Sequence, residues 1–315
     1  MSASLVILCP GQGAQAVGMG KAWAERSPEA ARVFAQADEI LGDRLGAPIS
    51  QLCFQGPAER LNQTDVSQPA IYVASMASLA GLRARWGAGN GELSLAACAG
   101  LSLGEYTALT VAGAIDFGSG LELVALRGRA MQEAAVATPS SMVALIGADE
   151  AQARELCERA CGSDVLVPAN FNAPGQVVVS GSVPACERAE RVASEMGLKA
   201  TRLAVAGAFH SPLMKPAGDR LSSALASVRI SAPRCPVLSN VTGAAHEMGE
   251  GCAESIRRRL VEQLTSPVRW VDNGRWLGER HAGAAYHELA PGKTLSGLMR
   301  RIDRNVKVET HDEPV

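Results

Sequence analysis

Between residues 93 and 114 an apolar segment, LSLAACAG, stops at Leu101-Ser102-Leu103-Gly104, and a helix-like pattern, EYTALTVAGA, follows. This order predicts a buried strand, a tight turn and a helix, the repeating unit of an α/β fold. Gly100-Leu101-Ser102-Leu103-Gly104 is a G-x-S-x-G pentapeptide. Between a strand and a helix it forms a nucleophile elbow: the glycines relieve crowding, and the serine hydroxyl projects above the helix N-terminus. A glycine-flanked turn without chemistry is the other reading of the same five residues.

The first half of the chain repeats this alternation. SLVILCP reads as a strand, residues 20 to 42 as a helix, QPAIYVASMASLAGLRARWG as a second helix, and 103 to 113 as a third. A mainly parallel sheet follows. Near Pro139 the pattern changes to strand SMVALIGA, helix 149 to 160, strand DVLVPAN, a turn at NAPG, strand QVVVSG, helix 183 to 196 and strand KATRLAVAG. The order βαββαβ is that of a ferredoxin-like unit. Asp149 suits the opening of its first helix, Pro184 an early position in the second, and Gly197 the end of that helix. The expected division is a small inserted domain at 137–206 within a core formed by 1–136 and 207–315. RISAPRCPVLSN then returns to the core sheet, AAYHELAP adds a strand, and the tail ETHDEPV is expected to fray.

Charge narrows the function classes. Thirty Lys and Arg against thirty-two Asp and Glu give a net charge of −2, so neither nucleic acid nor a membrane surface is an expected partner. MSASLVILCPGQG reaches Pro and Gly after a very short apolar run, which predicts no signal peptide, transit peptide or membrane span. The eight cysteines include no C-x-x-C pair, consistent with a reduced, cytoplasmic protein. Cys157 and Cys161 share a helix face without nearby partners and read as packing residues, so no metal site is expected.

A serine nucleophile needs a base. Of five histidines, His246 falls in a polar loop-like stretch, His311 in the tail, and His281 and His287 flank a strand. His210, in AGAFHSPLM, alone follows a domain junction in a small-residue loop. A histidine bonded at the edge of the core is the competing reading. No acid stands in an evident active-site loop between Ser102 and His210, where an α/β-hydrolase would have one. Gly11-Gln12-Gly13-Ala14-Gln15-Ala16 matches the dinucleotide fingerprint G-x-G-x-x-A. Against that stand Pro10, a late helix and no ribose-binding acid. The same loop could instead present the N–H of Gln12, beside that of Leu103, to an oxyanion.

CPGQGAQAVGMG, GPAERLNQTDVSQPA, GLSLGEYTALTVAGAIDF, RGRAMQEA, NFNAPGQVVVSG, FHSPLMKPA, QLTSPVRW and PGKTL occur in the order found in malonyl-CoA:acyl carrier protein transacylases, and the chain resembles that family over nearly its whole length. The resemblance implies an α/β-hydrolase-like parallel-sheet core with an inserted ferredoxin-like domain. It implies that Ser102 is the nucleophile, that His210 is its base and acid, and that the N–H groups of Gln12 and Leu103 form the oxyanion hole. Gln263 matches the residue whose main-chain carbonyl orients the histidine in place of an acid. Arg127 resembles the arginine that clasps the malonyl carboxylate, although as a helix residue alone it would read as paired with Glu122 or Glu133.

Gln68, Asn170 and Asn172 resemble residues near the pocket and the thioester arm, with an ordinary turn as the other reading of Asn172. Phe209 resembles the bulky residue of malonyl-selecting members. The implied reaction is ping-pong transfer from malonyl-CoA to the phosphopantetheine thiol of acyl carrier protein in fatty acid synthesis, by a monomer and without a cofactor. Polyketide or malonate decarboxylase systems and a serine thioesterase are the alternatives. Leu101 stands where many members have histidine, and Ala290-Pro291-Gly292 replaces Gly-Pro-Gly. Lys215, Lys293 and Arg257 to Arg259 are candidates for a basic surface that receives the acidic carrier.

Overall fold

The computed structural model describes residues 4–87 and 93–314. Strand β1 (Leu5–Cys9) leads through helices α1 (Lys21–Arg26), α2 (Pro28–Leu41), α3 (Ile49–Gln55), α4 (Ala58–Leu61) and α5 (Thr64–Arg85) to β2 (Leu95–Gly100), α6 (Gly104–Val111) and α7 (Phe117–Ala137). The next segment comprises β3 (Ser140–Ile146), α8 (Glu150–Cys161), β4 (Leu166–Ala173), β5 (Gln176–Ser182), α9 (Val183–Glu195) and β6 (Lys199–Arg202). The chain closes with α10 (Lys215–Ser227), β7 (Leu238–Ser239), β8 (Ala244–Ala245), α11 (Cys252–Glu262), α12 (Trp270–Arg280), β9 (Ala285–Leu289), α13 (Thr294–Ile302) and β10 (Val308–His311).

The core sheet is parallel in the order β10-β9-β1-β2, and Val237 extends it by one parallel bridge to Cys98. Strand alternation sends Ile7, Cys9 and Cys98 into one apolar layer and Val6, Leu8, Ala97 and Ala99 into the other. Helices α2, α5 and α7 cover the first face with Phe34, Ile71 and Leu121, while α12 and α13 cover the second with Trp270, Leu277 and Leu295. A strand buried on both faces cannot alternate polar with apolar residues, which is why LVILC and LAACAG read as continuous apolar runs.

The antiparallel sheet has the order β4-β5-β3-β6, the ferredoxin-like arrangement. Val143, Leu145, Val177 and Val179 pack beneath Leu156 of α8 and Ala189 of α9. Met142, Ala169 and Val178 face the other way and join the large core. Asp149 and Gln152 form a capping box at the start of α8. The fold is therefore α/β, with a hydrolase-like parallel core carrying a ferredoxin-like sheet.

Several local expectations change. The helix expected over 20 to 42 divides at Ser27-Pro28, because Ser27 is extended and caps α2 through Ala30 N. The segment after Arg202 leaves the sheet, so KATRLAVAG is strand only over Lys199–Arg202. As far as Pro314 the tail is tied down: Val308–His311 pairs with β9, Trp23 Nε1 donates to His311 O at 2.9 Å, and Arg26 Nη1 donates to Pro314 O at 2.8 Å. Only Pro174 and Gly175 separate β4 from β5, which places Asn172 inside a strand rather than in the turn.

Candidate active site

β2 ends at Gly100 and α6 begins at Gly104. A Cβ on Gly100 would meet the main chain of Gly104, and one on Gly104 would meet the carbonyl of Cys9; the turn is that tight. Among the described residues, the non-glycine positions with a left-handed backbone are Ser102 at φ 53 and His210 at φ 57. Both are held there by hydrogen bonds, and such conformations concentrate at functional sites.

Ser102 Oγ lies 2.9 Å from His210 Nε2, and His210 Nδ1 lies 2.8 Å from Gln263 O. A carbonyl only accepts, so Nδ1 carries the proton and Nε2 is free to accept from the serine hydroxyl. His210 is buried, and desolvation first, then the positive charge of Arg127, lower its pKa to about 4 against a bond to Gln263 that raises it. The imidazole is thus neutral near pH 7, the state a general base requires.

Arg127 is 1% exposed. Its Nη1 donates to Gln68 Oε1 at 2.7 Å, and its Nη2 donates to Gln263 Oε1 at 2.9 Å and to Ser102 Oγ at 3.0 Å. Its Nε has no partner, and the guanidinium carbon lies 5.4 Å from the centre of the Tyr106 ring. No carboxylate among the described residues is within ion-pair distance of it. The two expected partners are taken: Glu122 pairs with Arg44 at 2.7 Å, and Glu133 pairs with Arg220. Burial lowers the pKa of Arg127, while its electrostatic interactions with Tyr106 and the Glu105 carboxylate oppose that shift. A buried guanidinium with an unpaired N–H beside a serine hydroxyl is suited to receive an anionic group.

A cleft of ≈ 350 Å³ elsewhere lacks these groups, whereas one of ≈ 530 Å³ opens over Ser102 and His210. Gln12, Leu101, Met131 and Phe209 line it from the core, and Met142, Asn170, Asn172 and Val178 line it from the ferredoxin-like sheet. Asn172 Oδ1 is buried without a partner. Gln12 Nε2 donates to Thr64 Oγ1 at 3.3 Å, and Gln68 Nε2 donates to Gln12 Oε1 at 3.4 Å, which ties the Gln12 loop to α5. Leu103 is the first residue after the serine with right-handed helical backbone, at φ −48. The loop 10–20 opens no helix until Lys21, which removes the helix N-terminus that a dinucleotide site uses.

Three supporting residues escaped sequence reasoning. Asn240 Oδ1 accepts from Ser102 N at 2.5 Å, and its Nδ2 donates to Gly100 O at 2.7 Å, so one amide clamps both sides of the elbow. Glu105 is 0% exposed. Its carboxylate accepts from Asn240 N at 2.9 Å, Gln263 Nε2 at 2.8 Å and His246 Nε2 at 2.8 Å. His246 is accordingly buried against Glu105 and not in an open polar loop. The signal available for Glu105 was an acid immediately after the pentapeptide in an otherwise apolar helix. The basic run is also not a free patch, since Arg258 and Arg259 both reach Glu262 and Arg257 reaches Glu254. Lys215 is exposed and pairs with Asp219 at 2.8 Å.

A serine with left-handed backbone on a strand-to-helix turn, hydrogen-bonded to a neutral histidine, is the arrangement found in α/β enzymes that work through a serine. Residues 6–287 match the acyl transferase domain family. The malonyl CoA-acyl carrier protein transacylase of Escherichia coli is 41% identical over 306 residues, covering 97% of this chain and 94% of that protein. The Bacillus subtilis protein of the same name is 38% identical over 313 residues, 98% of this chain and 94% of its own length. A crystal structure of the malonyl-CoA:acyl carrier protein transacylase from Xanthomonas oryzae superposes with a TM-score of 0.89 at 40% identity, covering 100% of this chain and 96% of that one. The chain belongs to the acyl transferase domain family and, within it, to the malonyl-CoA:acyl carrier protein transacylases.

Proposed function

We propose that the chain transfers the malonyl group of malonyl-CoA to the phosphopantetheine thiol of an acyl carrier protein, by way of a malonyl ester on Ser102. His210 Nε2 takes the Ser102 proton as Oγ attacks the thioester carbon. The N–H groups of Gln12 and Leu103 receive the oxyanion. His210 then returns the proton to the departing CoA sulfur. The carrier thiol gives its proton to His210 in the second half, attacks the ester, and releases Ser102 as the hydroxyl. Gln263 O holds the imidazole in its reactive tautomer throughout, the task a carboxylate performs in a triad.

Arg127 holds the free carboxylate of the malonyl group, with its unpaired Nε–H as one donor. Asn170 and Asn172 face the thioester arm, and Phe209 crowds any branch at the α-carbon. No step needs a cofactor, and the pathway served is fatty acid synthesis. A solved relative, 37% identical with a TM-score of 0.88 over 99% of this chain and 96% of its own, is a malonyl-transacylase in complex with a type II polyketide acyl-carrier protein. That complex supports a carrier protein as the acceptor. The reading assigns the reaction to the cytoplasm. Among the described residues, no helix is long and apolar enough to cross a membrane.

The observation that carries this reading is the buried guanidinium 3.0 Å from the serine hydroxyl without a carboxylate of its own. An acetyl group leaves that cation unpaired, a difference of about 3 kcal/mol, or roughly a hundredfold in kcat/KM. The test compares malonyl-CoA with acetyl-CoA in the parent and in Arg127→Ala. Malonyl transfer should fall about a hundredfold in the variant while acetyl transfer does not. An unchanged acyl preference would overturn the assignment.

A further inference from the structure

At the edge of the parallel sheet, three metal-ligating side chains meet that neither the cleft nor the proposed reaction uses. In the β9–β10 ladder Glu309 stands opposite His287, and His311 follows two residues along. Side chains two apart on a strand share a face, as do directly paired residues, so all three project to the same side.

His287 Nδ1 and His311 Nε2 are 2.9 Å apart, and the Glu309 carboxylate oxygens lie 3.7 Å from the first and 3.9 Å from the second. Both imidazoles are buried. The ring centres are 5.1 Å apart with planes at 26°, and Trp86, at the end of α5, packs against them at 5.0 and 6.1 Å.

Two imidazole nitrogens on one tetrahedral ion, each about 2.05 Å from it, stand about 3.3 Å apart with ring centres near ~5 Å. The 2.9 Å between the two nitrogens is a little shorter than the first value, and the 5.1 Å between ring centres meets the second. Shifts of a few tenths of an ångström in exposed Glu309 and in the two rings bring all three donors to bonding distance. We propose that His287 Nδ1, His311 Nε2 and a Glu309 carboxylate oxygen bind a divalent first-row transition ion of the zinc type, which ties the C-terminal strand to β9. Two imidazoles with one carboxylate suit such an ion and not magnesium or calcium, which take oxygen ligands. The exposed side of Glu309 leaves the remaining position to water.

The test uses the full chain without a histidine tag, stripped with chelator and titrated with Zn²⁺ by calorimetry and with Co²⁺ by visible absorption. One equivalent should bind, with the intense absorption of tetrahedral cobalt, and the melting temperature should rise with zinc. Affinity should fall at least tenfold in Glu309→Gln and further in His311→Gln, and be unchanged in His210→Ala. Glu309 is exposed, so its variant folds and decides the matter should His311→Gln fail to fold. Absence of saturable binding, full affinity in Glu309→Gln, or loss of binding in His210→Ala would overturn the site without touching the acyl-transfer reading.

Discussion

Glu105 accepts three hydrogen bonds in a site closed to water, and one of its donors, the Gln263 amide, also receives Arg127 through its oxygen. The carboxylate therefore sets which way that amide points, and with it the support of both Arg127 and the elbow. Glu105→Ala strands three buried donors at roughly 1–3 kcal/mol each, a sum comparable with a typical stability of ~5–15 kcal/mol, and should not yield folded protein. Glu105→Gln keeps the volume and one acceptor oxygen, but its NH₂ meets His246 Nε2, which can accept only by moving its own proton to Nδ1, a buried atom without a partner. The loss is about 2–4 kcal/mol, one unsatisfied donor plus the lost charge. Its melting temperature should drop by several degrees, and its malonyl kcat/KM should fall at least about tenfold, with acetyl transfer falling less. Thermal melts and kinetics on both thioesters measure this. Parent-like stability and acyl preference in Glu105→Gln would refute the account of the network.

The pKa of His210, near 4 in the fold and ~6.5 unfolded, is depressed. Its contribution to stability is present above the unfolded value and is lost as pH falls to the folded one, about 3 kcal/mol in all; the decline in denaturant melts between pH 7 and 4 should be smaller in a folded His210→Gln than in the parent. The same shift places the acid limb of kcat/KM near pH 4 and not near 6.5, which a pH–rate profile checks. Gly104→Ala should abolish transfer and destabilise the fold, because its Cβ meets the carbonyl of Cys9; calorimetry and a rate assay suffice. Phe209→Ser should raise the ratio of methylmalonyl to malonyl transfer by about tenfold, the worth of one methyl in an apolar pocket, measured by competition of the two thioesters.

The alternation of apolar runs and helices was legible because parallel strands are buried on both faces, and the βαββαβ order because its caps are local. Ser102 was legible from its glycines and its place between strand and helix. The roles of Arg127 and Gln263 were not readable from spacing, since each depends on contacts more than fifty residues away: Arg127 with Gln68, and Gln263 with His210. Asn240 ends a segment that reads as sheet and His246 sits in sequence that looks like polar loop, and only the fold brings them under the elbow. The C-terminal strand was missed because ETHDEPV lacks an apolar run. Its pairing comes from the ladder with β9 and a hydrogen bond from Trp23.

The acyl-enzyme itself is the most direct object to measure. Intact-protein mass spectrometry after mixing with malonyl-CoA should show one malonyl adduct, mapped by peptide digestion to Ser102, discharged by holo-acyl carrier protein much faster than by water, and absent from Ser102→Ala. An adduct that persists in Ser102→Ala, or one that water removes as fast as the carrier thiol does, would contradict transfer through this serine.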